Sequence, residues 1–262
     1  MRALYTASTG MAAQEMNVEI ISNNIANMRT SGFKRQRAEF QDLLYESLRR
    51  VGSSSSDSGT VLPTGVDIGS GVKLVATPRV MSQGTVAGTE KTYDVAIRGE
   101  GFFQVELPDG TTAYTRDGSF ELDPNGQLVT ADGYTVQPSI TVPANALTVT
   151  INSVGQVEAT VQGQTAPQQL GQLQLTRFMN KSGLAAKGDN LFLETDASGT
   201  PLQDVPGAEG FGTVLQSYLE QSNVNAVTEI SDLIAAQRAY EMNSKVVSSA
   251  DQMLQASTSM MR

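Results

Sequence analysis

Asp123 and Asn125 set side-chain oxygens at alternating positions ahead of Gly126, which is how a calcium loop opens, because that cation is held by several oxygen ligands. The continuation Gln127-Leu128-Val129 brings no Glu to close such a loop, so the segment predicts a hairpin turn and no metal site. Nucleophilic triads and transition-metal centres depend on thiolate or imidazole, and the chain has no Cys and no His. One cheap route to catalysis is left, a carboxylate pair acting as acid and base across a cleft, as in a glycosidase. The acidic residues fall instead mostly in turns such as Asp109-Gly110, Asp117-Gly118 and Asp132-Gly133 or in exposed positions. No catalytic residue, cofactor or metal ligand is expected.

The charge balance narrows the partners. Twenty-seven Asp and Glu against 18 Lys and Arg give a net charge of -9, and phosphate binding needs clustered cations, so no nucleic acid is expected. Without cysteine no disulfide braces the fold. The first ten residues hold no apolar run resembling a secretory leader, and no later stretch approaches a membrane span, so no membrane insertion is expected.

The elements follow from where Gly and Pro punctuate the chain. All nine Pro lie between Pro63 and Pro206, Gly10 is the sole Gly before Gly32, and neither residue occurs from Thr213 to Arg262. Two uninterrupted ends thus flank a turn-rich middle. At the N-terminus Leu4, Met11, Val18 and Ile25 recur every seven residues, with Ala7, Gln14, Ile21 and Met28 at the complementary heptad position. At the C-terminus Leu233, Tyr240, Val247, Leu254 and Met261 repeat in the same way, flanked by Ala236, Ala250 and Ser257. The first helix should fade between Met28 and Gly32, where the glycine suits the left-handed residue past a helix end, and Ser222 or Asn225 would cap the second. At about 1.5 Å per residue the helices would reach roughly 40 and 55 Å, more than a compact domain requires, so they should order fully only against neighbouring copies.

Residues 51 to 59, Ser-rich and polar, read as a linker or arm. Beyond about Ala76 the period changes to two, with Phe103, Val105 and Leu107 on one face, then Phe120 with Leu122, Tyr134 with Val136, and Leu147, Val149 and Ile151. The expected class is therefore α+β: terminal helices 1–32 and 213–262 pairing as a coiled-coil layer, an extended arm 33–75, and a mainly antiparallel β domain 76–212.

Three stretches carry a resemblance. Asn24-Ile25-Ala26-Asn27-Met28-Arg29-Thr30-Ser31-Gly32-Phe33-Lys34 is similar to the ANxxTxGFK signature of flagellar rod and hook proteins, with Asn27, Thr30, Gly32, Phe33 and Lys34 at the motif positions. The segment from Gly99 to Pro138 resembles the GxGFF…YTRDGSF…LVT portion of that family's β domain. Residues Leu219 to Leu254, including Ser222, Asn223, Gln237, Arg238 and Tyr240, resemble its C-terminal helix. Phe40-Gln41-Asp42-Leu43-Leu44 also resembles an element with Phe40 and Leu44 as anchors that export gates recognise, although simple packing of Phe40, Leu43 and Leu44 explains it equally well.

The resemblance implies a non-enzymatic subunit of the distal rod, polymerising with itself into a rigid hollow tube that encloses an export channel and carries torque. Its implied partners are further copies, the proximal rod proteins, the hook protein, the P-ring and L-ring proteins and the flagellar type III export apparatus. The implied location is the periplasm-spanning basal body, reached without a cleaved signal. Two alternatives stand beside this: a proximal-rod or hook paralogue, and a secreted oligomeric adhesin whose β domain binds a glycan.

Overall fold

A computed structural model describes residues 2–52, 63–163 and 166–260. The chain divides into two compact units: residues 1–25, 36–78 and 225–262, and residues 26–35 with 79–224.

In the first unit, helix α1 spans Arg2–Ala26 and helix α2 spans Ala226–Met260. Asn225 caps α2, its side-chain oxygen accepting from the backbone N–H of Val227 at 3.0 Å and of Thr228 at 3.3 Å, which satisfies donors the helix itself cannot. The helices run antiparallel, because Asn24 at the end of α1 bonds Glu229 at the start of α2, while Gly10 faces Asn243 a few turns further along. At Gly10 an added Cβ would sit 2.9 Å from the Asn243 side-chain nitrogen, so the helices approach closely there.

The stretch expected as an arm carries short antiparallel pairs, Glu39–Asp42 with Val72–Ala76 and Tyr45–Arg49 with Val66–Gly69. Ile68 and Gly69 belong to the latter pair. Of the Ser-rich stretch 51–59, residues 53–59 lie outside the described residues, as does Met261.

The second unit is built on a seven-stranded antiparallel sheet in the order 185–188, 191–193, 112–115, 103–106, 135–137, 128–130, 120–122. Its alternation places Phe103, Val105 and Leu107 in a core with Ile97, Phe120 and Val136. Edge-on contact of Phe103 with Phe120, at 5.0 Å between ring centres, adds to that burial. A smaller aromatic cluster of Phe102, Tyr114, Phe178 and Phe192 lies on the other face. Gly118 is demanded by close approach, since a Cβ there would fall 1.8 Å from the carbonyl oxygen of Val95.

Two differences from the sequence reading have clear causes. Leu147 is exposed although Val149 and Ile151 are buried, because the register shifts between Ala146 and Thr148 and leaves Leu147 unpaired at a bulge. The second helix starts at Ala226 rather than near Thr213. Thr213–Gln216 pairs with Val95–Arg98, and Tyr218–Glu220 pairs with Val86–Gly88, so the absence of Gly and Pro marked a strand pair there as well as a helix.

Candidate functional site

The heptad residues of α1 form a continuous stripe: Ile21 is buried, and Leu4, Met11, Val18 and Ile25 are half-buried. Met28 lies past the helix end and is exposed. On α2 the matching stripe buries Ala236 and Ala250 and half-buries Leu233, Asn243 and Val247, with Tyr240 and Leu254 at its margin, 44% and 41% exposed. Small residues at the most buried positions let the two backbones come close. Leu254 is uncovered because the antiparallel pairing brings α1 to its first residues opposite the Ala250 turn, so the seam continues beyond its partner.

The sequence reading missed a second stripe on α2. Val227, Ile230 and Ile234 are exposed on the side opposite Ala236, and Met242, Val246 and Met253, also exposed, continue the apolar surface along a flank turned toward the seam. A helix apolar on two opposite sides is suited to burial between two neighbours, and α1 supplies one. The signal was present in the spacing of Val227, Ile230 and Ile234, but the heptad row of Leu233 masked it.

Where the helices meet, Asn24 is fully buried. Its amide donates to the Gln36 carbonyl at 2.9 Å and to Glu229 Oε2 at 3.1 Å, and its oxygen accepts from Gln36 N–H at 2.9 Å. Gln237 and Arg238 are exposed on α2. Leu44 is 87% exposed and free of packing inside this chain, whereas Phe40, 37% exposed, is still largely covered.

The family motifs converge elsewhere, inside the second unit. Asn27 and Thr30 close a turn, the Thr30 hydroxyl 3.2 Å from Asn27 Oδ1 and Phe33 N–H 3.3 Å from the Thr30 carbonyl. The chain then passes Gly32 at φ 69°, where an added Cβ would meet the backbone of Asp117 at 2.7 Å and of Arg116 at 2.8 Å. Gly32 N–H donates to the Glu220 carbonyl at 2.8 Å. Half-buried Phe33 precedes Lys34, whose ammonium is buried and donates to Glu220 Oε1 at 2.5 Å and to the Ser82 carbonyl at 2.9 Å. Arg116, equally buried, reaches Glu220 Oε2 at 3.2 Å and the Gly99 carbonyl at 2.7 Å, with its guanidinium over the ring of Phe102. Gly84 N–H donates to Glu220 Oε1 at 2.8 Å.

One carboxylate thus gathers two cations and a backbone amide out of water. Burial pushes the pKa of Lys34 down, against the pull of Glu220, and burial likewise lowers that of Arg116. Beside it Asn223 accepts from Arg35 N–H at 2.8 Å and donates to the Val80 and Ser82 carbonyls at 2.8 and 3.1 Å. Ser222 is buried and its hydroxyl accepts from Val224 N–H at 3.3 Å. Every cation and carboxylate in the cluster is engaged in holding chain segments together, so the arrangement is a structural latch. Sequence reasoning named Lys34, Ser222 and Asn223 as motif residues but not their partners, since Arg116 and Glu220 lie far along the chain.

The segment from Asp123 to Gln127, read from the sequence as a hairpin turn, is a turn. Asp123 accepts from Asn125 N–H at 2.8 Å and from Gln127 N–H at 2.7 Å, and these backbone donors, Gln127 foremost, hold its carboxyl below the usual range. Among the described residues no helix is long and apolar enough to cross a membrane.

Two terminal helices and an antiparallel β unit, with motif residues spent on holding chain segments together, are features of a structural component. Residues 4–34 match the family model for flagella basal body rod proteins, residues 96–159 that for the flagellar hook protein FlgE/F/G D1 domain, and residues 215–260 that for the flagellar basal body rod FlgEFG protein C-terminal region. These place it in the rod and hook class. The chain is 58% identical over 258 residues to the flagellar basal-body rod protein FlgG of Caulobacter vibrioides, 98% of each chain being covered. It is 51% identical over 253 residues to the FlgG proteins of Buchnera aphidicola and Agrobacterium fabrum, with 97% of each chain covered. The chain belongs to the flagellar basal-body rod protein FlgG family. This family is structural and not enzymatic, and neither the adhesin reading nor a hook or proximal-rod paralogue is favoured.

Proposed function

We propose that the chain is a subunit of the distal rod of the bacterial flagellum, polymerising into a rigid hollow tube that encloses the export channel and transmits torque to the hook. The observation that carries this is the double apolar character of α2: one stripe lies against α1, and a second, from Val227 to Met253, is bare in a single copy. Contact with another copy buries it, and a contact between unlike surfaces whose rotation does not close generates a helix of subunits. On this reading α1 and α2 pack as a coiled-coil-like inner layer, with Leu4, Met11, Val18, Ile21, Ile25, Leu233, Tyr240, Val247 and Leu254 in its seams. The arm forms an intermediate layer and the β unit faces outward.

The same reading supplies the partners. Proximal rod proteins lie below, the hook protein above, and the P-ring and L-ring proteins around a shaft that spans the periplasm. Delivery is through the flagellar type III export apparatus, with Leu44, and in part Phe40, exposed for recognition. Sedimentation and electron microscopy of the full chain test the proposal. Open-ended tubes are expected on raising concentration, and Ile230→Asp with Ile234→Asp should abolish them while the circular dichroism spectrum is retained. Tubes formed equally well by that variant would refute the role of the second stripe, and closed discrete oligomers would refute the rod.

A further inference from the structure

Between α1 and α2, inside the first unit, lies a groove of about 380 Å³ lined by Glu15, Val18, Glu19, Gln237, Tyr240 and Glu241. Val18 and Tyr240 supply its apolar lining, and carboxylates come from both helices. No Lys or Arg lines it, and among the described residues none of the three carboxylates has an ion-pair partner. Three like charges around a wet apolar lining repel one another and leave apolar surface in water. A ridge that carries both apolar and cationic side chains relieves both.

The chain carries such a ridge. On the bare stripe of α2, Ile234, Met242 and Val246 alternate with Arg238 and Lys245 in three- and four-residue steps, and all five are exposed. Neither cation has an ion-pair partner among the described residues. Glu241 stands one turn from both Arg238 and Lys245, so the ridge adjoins the groove on the same helix and cannot turn into the groove of its own molecule, whose far wall is Glu15 and Glu19 of α1.

We infer that the groove formed by Glu15, Glu19 and Glu241 receives the Arg238–Lys245 ridge of a second copy, and that this contact sets the direction in which subunits add. The inference rests on the assembly reading above and names its contact. Arg238 and Lys245 meet the carboxylates, Met242 and Val246 cover Val18 and Tyr240, and a cation over the Tyr240 face gains further from the ring. Each copy that offers its ridge to one neighbour keeps its groove for another, which makes the contact open-ended.

Charge reversal tests it in the full chain. Glu15→Lys with Glu19→Lys in one variant, and Arg238→Glu with Lys245→Glu in another, should each raise the concentration needed for assembly by about tenfold or more at low salt, with the circular dichroism spectrum unchanged. An equimolar mixture of the two should assemble again, because each variant's ridge then matches the other's groove. Assembly of either variant at the wild-type concentration, or a mixture that stays as impaired as its components, overturns the groove-and-ridge contact and leaves the rod reading standing. Wild-type chains that remain monomeric at every concentration overturn both.

Discussion

Glu220→Ala should destabilise the β unit more than any other single change to a motif residue. The carboxylate is fully buried and accepts from Lys34 at 2.5 Å, Gly84 N–H at 2.8 Å and Arg116 at 3.2 Å. Removing one member of a buried ion pair costs about 3–5 kcal/mol, because the charge left behind is neither hydrated nor compensated. Here the cost is moderated on one side: burial already pushes the Lys34 pKa down, so this ammonium can shed its proton, whereas the guanidinium of Arg116 cannot. The unpartnered Gly84 N–H adds about 1 kcal/mol. A loss of about 4 kcal/mol follows, with roughly half that for Glu220→Gln, which keeps the shape and an acceptor. Urea denaturation of the full chain, kept dilute enough to prevent assembly and followed by far-ultraviolet circular dichroism, measures it. In a cycle with Lys34→Met, the double variant should lose less than the sum of the singles by about 2 kcal/mol. A loss below about 1 kcal/mol for Glu220→Ala, or strict additivity with Lys34→Met, would show that the cluster does not act as a unit.

Gly32→Ala places a methyl group 2.7 Å from the Asp117 backbone at a left-handed φ of 69°, and backbone cannot move as a side-chain tip can, so a loss of about 2 kcal/mol or more is expected in the same assay. Asn24→Ala strips three hydrogen bonds from the fully buried contact with Gln36 and Glu229, and should cost about 2–3 kcal/mol in thermal unfolding of the helical signal; a change within 0.5 kcal/mol, about the scatter of surface substitutions, would contradict the role assigned to Asn24. The pH response of Lys34 has a definite sign. Its pKa is lower in the folded chain than the ordinary 10.5, so between the two values the unfolded state binds more protons and stability rises with pH. The contribution is flat below the folded value and complete above 10.5, and the difference between wild type and Lys34→Met should show this rise. A difference that falls with pH would mean that the pull of Glu220 outweighs desolvation.

The sequence displayed what depends on local spacing and hid what depends on distant pairing. The strand of Phe103, Val105 and Leu107 was legible because period-two alternation is the direct imprint of a sheet with one buried face. Leu147 misled because a bulge inverts the side that a residue faces without altering the pattern of residue types. Thr213–Gln216 and Tyr218–Glu220 were absorbed into the helix because their strand partners, Val95–Arg98 and Val86–Gly88, lie over a hundred positions earlier. The latch was half visible. Lys34 stands out as a cation after Gly32-Phe33, yet its charge partner is separated by 186 residues, and no local rule links the two.

The placement of polar interactions fits the work proposed for the subunit. The chain crosses between its two units at residues 25/26, 35/36, 78/79 and 224/225, and the segments leading to these crossings are tied together within each unit. In the β unit, Arg35, Val80 and Asn223 form a closed set of hydrogen bonds beside the Lys34–Glu220 pair. In the helical unit, Asn24 joins Gln36 to Glu229, and Arg37 N–H donates to the Pro78 carbonyl at 3.1 Å. Apolar packing alone tolerates sliding, since it is non-directional, whereas buried hydrogen bonds have one register and cost free energy when left unmade. A subunit that must carry torque repeatedly without reacting with anything gains most from such bonds where segments converge, and can leave its apolar stripes for neighbouring copies.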